Sequence, residues 1–129
     1  MTMKANLDSV IKSIIKFRDE RDWIQYHDPK NLAEAISIEA AELQELFLWL
    51  TTEQAKDLTD DKVQRVKEEI ADIFIFMTYL CNHFEIDLLE AVENKVQENY
   101  VKYPIEKAKG SSKKYTEITG LNESNSSND

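Results

Sequence analysis

Apolar residues recur at helical spacing along most of the chain. In residues 4–22, Leu7, Val10, Ile11, Ile14, Ile15 and Phe17 fall on one face of an α-helix. The pattern stops at the polar cluster around RDW. HDPKN (27–31) reads as a turn into a second helix, with Asp28 as N-cap and Pro29 at the first helical position. Asn31 and Glu34 form an alternative capping pair. The second helix is expected to reach about Leu50, burying Leu32, Ile36, Leu43, Leu46, Phe47 and Leu50. TTEQAKDLTDD (51–61) is a connector with room for a short turn. A third helix follows from about Asp61 to Phe84, with a stripe of Val66, Ile70, Ile73, Phe74, Met77, Leu80, Cys81 and Phe84. The fourth runs from about Asp87 to Tyr103, because Pro104 cannot continue it. Its apolar face is Val92, Val96, Tyr100 and Tyr103. The pattern predicts an all-α four-helix bundle in one domain over 1–109. Residues 110–129 read as an extended arm (KGSSKKYTEITG) and a polar tail (LNESNSSND) expected to be disordered.

Composition supports this reading and narrows the partners. The 129 residues are 42% hydrophobic and 32% charged, with only two glycines and two prolines. That scarcity of turn formers favours long helices over a β fold. A net charge of −9, from 25 acidic and 16 basic residues, repels nucleic acid polymers. Small anionic substrates stay open, because a bound divalent cation reverses the local field. Cys81 is the only cysteine, which excludes an intrachain disulfide and argues against a thiolate metal site. Its apolar setting predicts a buried, inert thiol. The N-terminal stretch is amphipathic rather than signal-like, and nothing approaches the ~20 apolar residues of a membrane span. The expectation is a reduced, cytoplasmic protein with no membrane partner.

Acidic residues intrude on the apolar pattern. EEIADIFIFMTYL (68–80) is the most apolar segment, yet Asp72 sits inside it. A buried carboxylate must be paired, protonated or bound to a metal. Glu39 falls in the middle of the second helix's apolar face, with Glu42 at its edge. Glu69 borders the third helix's stripe, with Asp72 one turn on. Each helix thus carries an acidic i, i+3 pair. Such a pair is ordinarily a solvated face, but the apolar settings of Glu39 and Asp72 argue for a site. If the two helices pack as neighbours, the carboxylates converge and need protons or cations. Oxygen ligands without cysteine or suitable histidine favour Mg²⁺ or Mn²⁺. A di-iron bundle would need Glu-x-x-His pairs, but His27 and His83 are preceded three residues earlier by Ile24 and Leu80. On the fourth helix Lys95, Asn99 and Lys102 offer cation and amide donors for a polyphosphate. Lysines snorkelling at a solvated edge are the ordinary alternative.

Glu39-x-x-Glu42 followed by Glu69-x-x-Asp72 resembles the hallmark of the all-α MazG-like nucleoside triphosphate pyrophosphohydrolases. FRDERDWIQYHDPKNL, EAAELQELFLWL, DLLEAVENKVQENYVKYP and KGSSKKYTE extend the likeness to the branch that contains the dCTP pyrophosphatases. The resemblance implies Mg²⁺-dependent cleavage between the α and β phosphates, releasing monophosphate and pyrophosphate. It also implies a tight homodimer, or a homotetramer of two dimers, with sites near subunit interfaces. It assigns Glu39, Glu42, Glu69 and Asp72 to metal, with Glu39 and Glu42 candidates for the general base. Lys95 and Asn99 fall to the phosphates, and Trp23, Trp49 and Phe76 to the nucleobase. Ile14 departs from the pattern: animal relatives carry histidine there, nine residues before the first tryptophan. That departure weakens the case for strict cytosine selectivity. For His27 a capping or structural role is expected. A dCTP-like substrate is favoured, with dUTP, dTTP or damaged purine triphosphates as alternatives. A non-catalytic nucleotide-binding helical module is the reading of a different class.

Overall fold

A computed structural model of the chain describes residues 5–114, 116 and 117. The helices are α1 (Leu7–Glu20), α2 (Pro29–Glu45), α3 (Thr52–Lys56), α4 (Asp60–His83), α5 (Leu88–Lys102) and α6 (Ile105–Ala108), with a 3₁₀ turn at Trp23–Tyr26. No strand occurs among the described residues. None of their helices is long and apolar enough to cross a membrane. Contacts divide the chain into two compact units, Met1–Ile86 and Asp87–Asp129.

Side-chain caps start most of these helices. Asn6 accepts from the Ser9 amide at the head of α1. Asp28 accepts from the Asn31 amide at 2.9 Å, and Pro29 occupies the first turn of α2. Asp28 therefore caps α2, as the sequence suggests; Glu34 forms an ion pair with Lys30 instead. Thr51 and Gln54 make a reciprocal capping box for α3. Asp87 caps α5. Pro104 ends that run and begins α6. Asp22, at φ 52, turns the chain out of α1 in the left-handed region that Asp tolerates.

One boundary differs from the expectation. α2 stops at Glu45 rather than running to Leu50. Its last residues tighten into i→i−3 bonds, Leu46 to Leu43, Phe47 to Gln44 and Leu48 to Glu45. Trp49 then takes φ 69, which no helix continues through. The predicted tail over 121–129 lies outside the described residues.

Within the first unit, α4 packs along α2, and α1 lies against α4. Leu32, Leu46 and Tyr79 are the buried apolar residues. Ile36, Leu43, Phe47 and Leu50 are half-buried beside them. Of the expected α4 stripe, Val66, Ile73, Phe74, Met77, Leu80 and Cys81 are half-buried and Ile70 and Phe84 are exposed, while the fully buried residues of α4 are Thr78 and Tyr79. Thr78 returns its hydroxyl to the Phe74 carbonyl at 2.8 Å, which lets a polar residue sit there. Arg18 is only 4% exposed. Its Nη1 donates to Asn82 at 2.9 Å, while Nε and Nη2 both donate to Asp19. That bond ties α1 to α4 across 64 positions of sequence.

In the second unit, Leu89, Val92, Val96, Tyr100 and Val101 on α5 are all exposed in the single chain.

Candidate metal centre

The packing of α4 on α2 brings acidic residues together. Glu39, Glu69 and Asp72 each offer a carboxylate oxygen, and these oxygens lie within 4.8 Å of one another. Glu42 falls outside that mutual set but stands beside Glu39. Glu39 and Glu69 are half-buried, whereas Asp72 and Glu42 are exposed. Asp72 is therefore not sunk in apolar surroundings, as its place in the run suggests. It stands on the rim because Ile70 and Ala71 also face outward in the single chain.

The electrostatics show strain. One oxygen each of Glu39 and Glu69 is buried with no hydrogen-bond partner. Burial raises the Glu39 pKa from 4.5 to about 7, helped by the neighbouring carboxyls of Glu69 and Glu42 and by the charge of Asp72. Two carboxyls can bond each other only through a shared proton, so ionising all of them requires a cation in its place. Oxygen donors with orphaned lone pairs suit a hard divalent ion. A cluster of acids is common without one, but the unpaired buried oxygens are not.

The aromatic candidates divide. Phe76 is one turn beyond Asp72 on α4 and half-buried. Trp23 sits in the 3₁₀ turn with its ring edge-on to Phe17 at 5.7 Å. Trp49 is 91% exposed and lines a surface groove with Gln44, Glu45, Phe47 and Leu48. The early end of α2 removes it from the face it would share with Glu42 on a continuous helix. In the second unit Lys95 and Asn99 lie one turn apart on α5. Lys95 holds Glu98 at 2.9 Å, and its bond and charge keep the Glu98 carboxyl below its usual range.

Sequence reasoning missed the buried pair Arg18 and Tyr79, against which the half-buried His27 packs. His27 stacks on Tyr79 with ring centroids 4.7 Å apart. The signal was present in spacing, since Tyr79 is three residues after Phe76 and seven after Asp72.

The sequence profile of the MazG-like family matches residues 35–118. The chain belongs to the MazG-like family. Its relatives include dCTP pyrophosphatase 1 of Mus musculus, 35% identical over 117 residues covering 89% of this chain and 69% of that protein. The Homo sapiens dCTP pyrophosphatase 1 is 36% identical over the same extent. Among solved structures, a pyrophosphatase from Archaeoglobus fulgidus superposes with a TM-score of 0.73 at 39% identity, covering 81% of this chain and 97% of its own. The matched stretch of this MazG-like chain holds all of Glu39, Glu42, Glu69 and Asp72.

Proposed function

We propose that the protein is a divalent-metal-dependent nucleoside triphosphate pyrophosphatase, with dCTP or a modified dCTP as the favoured substrate. The observation that carries this reading is the convergence of Glu39, Glu69 and Asp72, with a buried, unpartnered oxygen on each of Glu39 and Glu69. The dCTP pyrophosphatase 1 relatives, at 35% and 36% identity, point to the substrate.

In the proposed reaction a water oxygen bonds to phosphorus and the α–β anhydride bond breaks. Nucleoside monophosphate and pyrophosphate result. Glu39, Glu69 and Asp72, with Glu42 beside Glu39, would hold Mg²⁺, for which Mn²⁺ can substitute. Once bound, the ion supplies positive charge for the phosphoryl oxygens. Glu39 and Glu42, side by side, are the two candidates to take the water's proton. Lys95 supplies an ammonium and Asn99 an amide for the phosphates, and Lys95 must release Glu98 to do so. Trp23, Trp49 and Phe76 offer ring faces for the base. Stacking on them is worth about 1–3 kcal/mol per base and discriminates weakly between bases.

A homodimer or homotetramer completes the proposal. α4 is apolar around much of its girth, and Ile70 and the apolar face of α5 are exposed in the single chain. A helix with apolar residues all round belongs inside a larger assembly. Cys81, whose thiol pKa burial pushes up, fits a cytoplasmic setting without redox chemistry.

Phosphorus NMR of the products tests the reaction. With Mg²⁺ and dCTP, nucleoside monophosphate and pyrophosphate are expected; diphosphate and orthophosphate would refute α–β cleavage. Comparing dCTP with dUTP, dTTP and a purine triphosphate tests the base, and equal turnover of all would defeat the dCTP preference alone.

A further inference from the structure

The rings assigned to the nucleobase, Trp23 and Phe76, are joined by a continuous aromatic ladder, and Trp23 also meets Phe17 edge to face at 5.7 Å. Phe76 meets Tyr79 edge to face at 6.5 Å. Tyr79 stacks on His27 at 4.7 Å, with planes 29° apart. His27 meets Trp23 edge to face at 6.5 Å. The two middle rungs have no assigned part in the reaction.

Tyr79 is a fixed rung. It is buried, its hydroxyl donates to the Ile14 carbonyl at 3.4 Å, and the Arg18 guanidinium lies 5.6 Å from its ring. Arg18 is itself held by Asp19 and Asn82. His27 is the half-buried rung. It ends the 3₁₀ turn that carries Trp23, its amide donating to the Ile24 carbonyl. Burial and the charge of Arg18 lower its pKa, which favours the neutral ring. Its Nδ1 is buried without a hydrogen-bond partner among the described residues. The Nδ1 side therefore adds no side-chain bond, and the ring face is what touches Tyr79. The turn contributes two further side-chain bonds, from Gln25 to Asp22, and both stay within the turn.

We propose that His27 is a positioning residue: its ring is the spacer that sets Trp23 relative to Phe76 and so fixes the nucleobase pocket. This rests on the reading that Trp23 and Phe76 hold the base. It carries that reading further, because the ring at position 27 is what joins Trp23, flanked on its other contact by Phe17, to the buried Tyr79. A phenylalanine would serve, and a side chain without a ring would not.

The experiment compares His27→Leu with His27→Phe, scoring KM and kcat for dCTP with Mg²⁺. Acrylamide quenching of Trp23 is scored in the same variants built on Trp49→Phe, without substrate. Loss of one stacking contact predicts a KM for His27→Leu raised about tenfold with kcat nearly unchanged. Quenching of Trp23 should rise in parallel, and His27→Phe should restore both readings. Two results would overturn the proposal: wild-type KM and quenching in His27→Leu, or a His27→Phe as impaired as His27→Leu. If the leucine variant does not fold, His27→Asn removes the ring while keeping a polar nitrogen, and wild-type KM in it would equally overturn the proposal. Trp23→Ala separates the two claims. An unchanged KM there sinks the base assignment itself, and the quenching contrast between leucine and phenylalanine then decides the spacer role alone.

Discussion

Glu39 is held as an acid to about pH 7 when no cation is present, against 4.5 for an ordinary glutamate. Replacing it with glutamine removes that titration and keeps the shape. Between those two pH values the folded wild-type chain binds the proton and the unfolded chain does not. Metal-free stability therefore falls as pH rises through the window, since the folded state must give up a proton that it holds tightly. The full shift, at about 1.4 kcal/mol per pH unit, sets an upper bound of about 3 kcal/mol. The cluster sits at a half-solvated rim, and screening reduces this to about 1–2 kcal/mol. For a domain of this size that is a Tm difference of about 5–10 °C. Calorimetry in chelator at pH 5 and pH 8, at one protein concentration, should show wild type losing that much relative to Glu39→Gln. Excess Mg²⁺ at pH 8 should return the loss to wild type and do less for the variant. Parallel Tm values for the two proteins across the range would refute the claim that Glu39 is strained by its neighbours.

Other consequences can be checked directly. Asp72→Asn should cut pyrophosphate release by about 10²-fold or more while leaving the metal-free Tm equal or higher, because one like charge is gone. Leu32→Ala, at the most buried apolar position, should cost about 2–5 kcal/mol in denaturant unfolding. Arg18→Ala should cost about 1–3 kcal/mol by removing the bond to Asn82 and the contact with the Tyr79 ring, and Arg18→Met less, because it fills the space without a charge. Chelation should abolish turnover of every nucleotide alike, reversibly on adding Mg²⁺.

Helix positions were readable where a local rule decided them. Asp28 before Pro29, and Pro104 after Tyr103, set their boundaries through capping and a missing amide hydrogen. The carboxylate cluster was readable because Glu39 interrupts an apolar face at helical spacing. What escaped depended on tertiary context. The apolar pattern around Leu46, Phe47 and Leu50 continues helically, yet the chain breaks at Trp49, and no residue there is a helix breaker. The burial of Arg18 escaped because its partner Asn82 lies 64 positions away. α4 misled for a related reason. Residues 73–81 are all at least half-buried, so the apolar pattern could not single out Thr78 and Tyr79 as the most buried or place Asp72 at the edge.

The way α1 is fastened has a consequence for motion. Arg18 to Asn82 and over the Tyr79 ring, Tyr79 to Ile14, and the ring of His27 against Tyr79 tie α4 to residues 7–27. The acidic residues stand instead on α2 and α4. Amide hydrogens of α1 and the following turn should accordingly exchange with solvent sooner than those around Leu32 and Leu46, as a cooperative unit. Such an opening would part the aromatic rungs while leaving the carboxylates gathered, so the grip on a base and the grip on an ion would loosen on separate clocks.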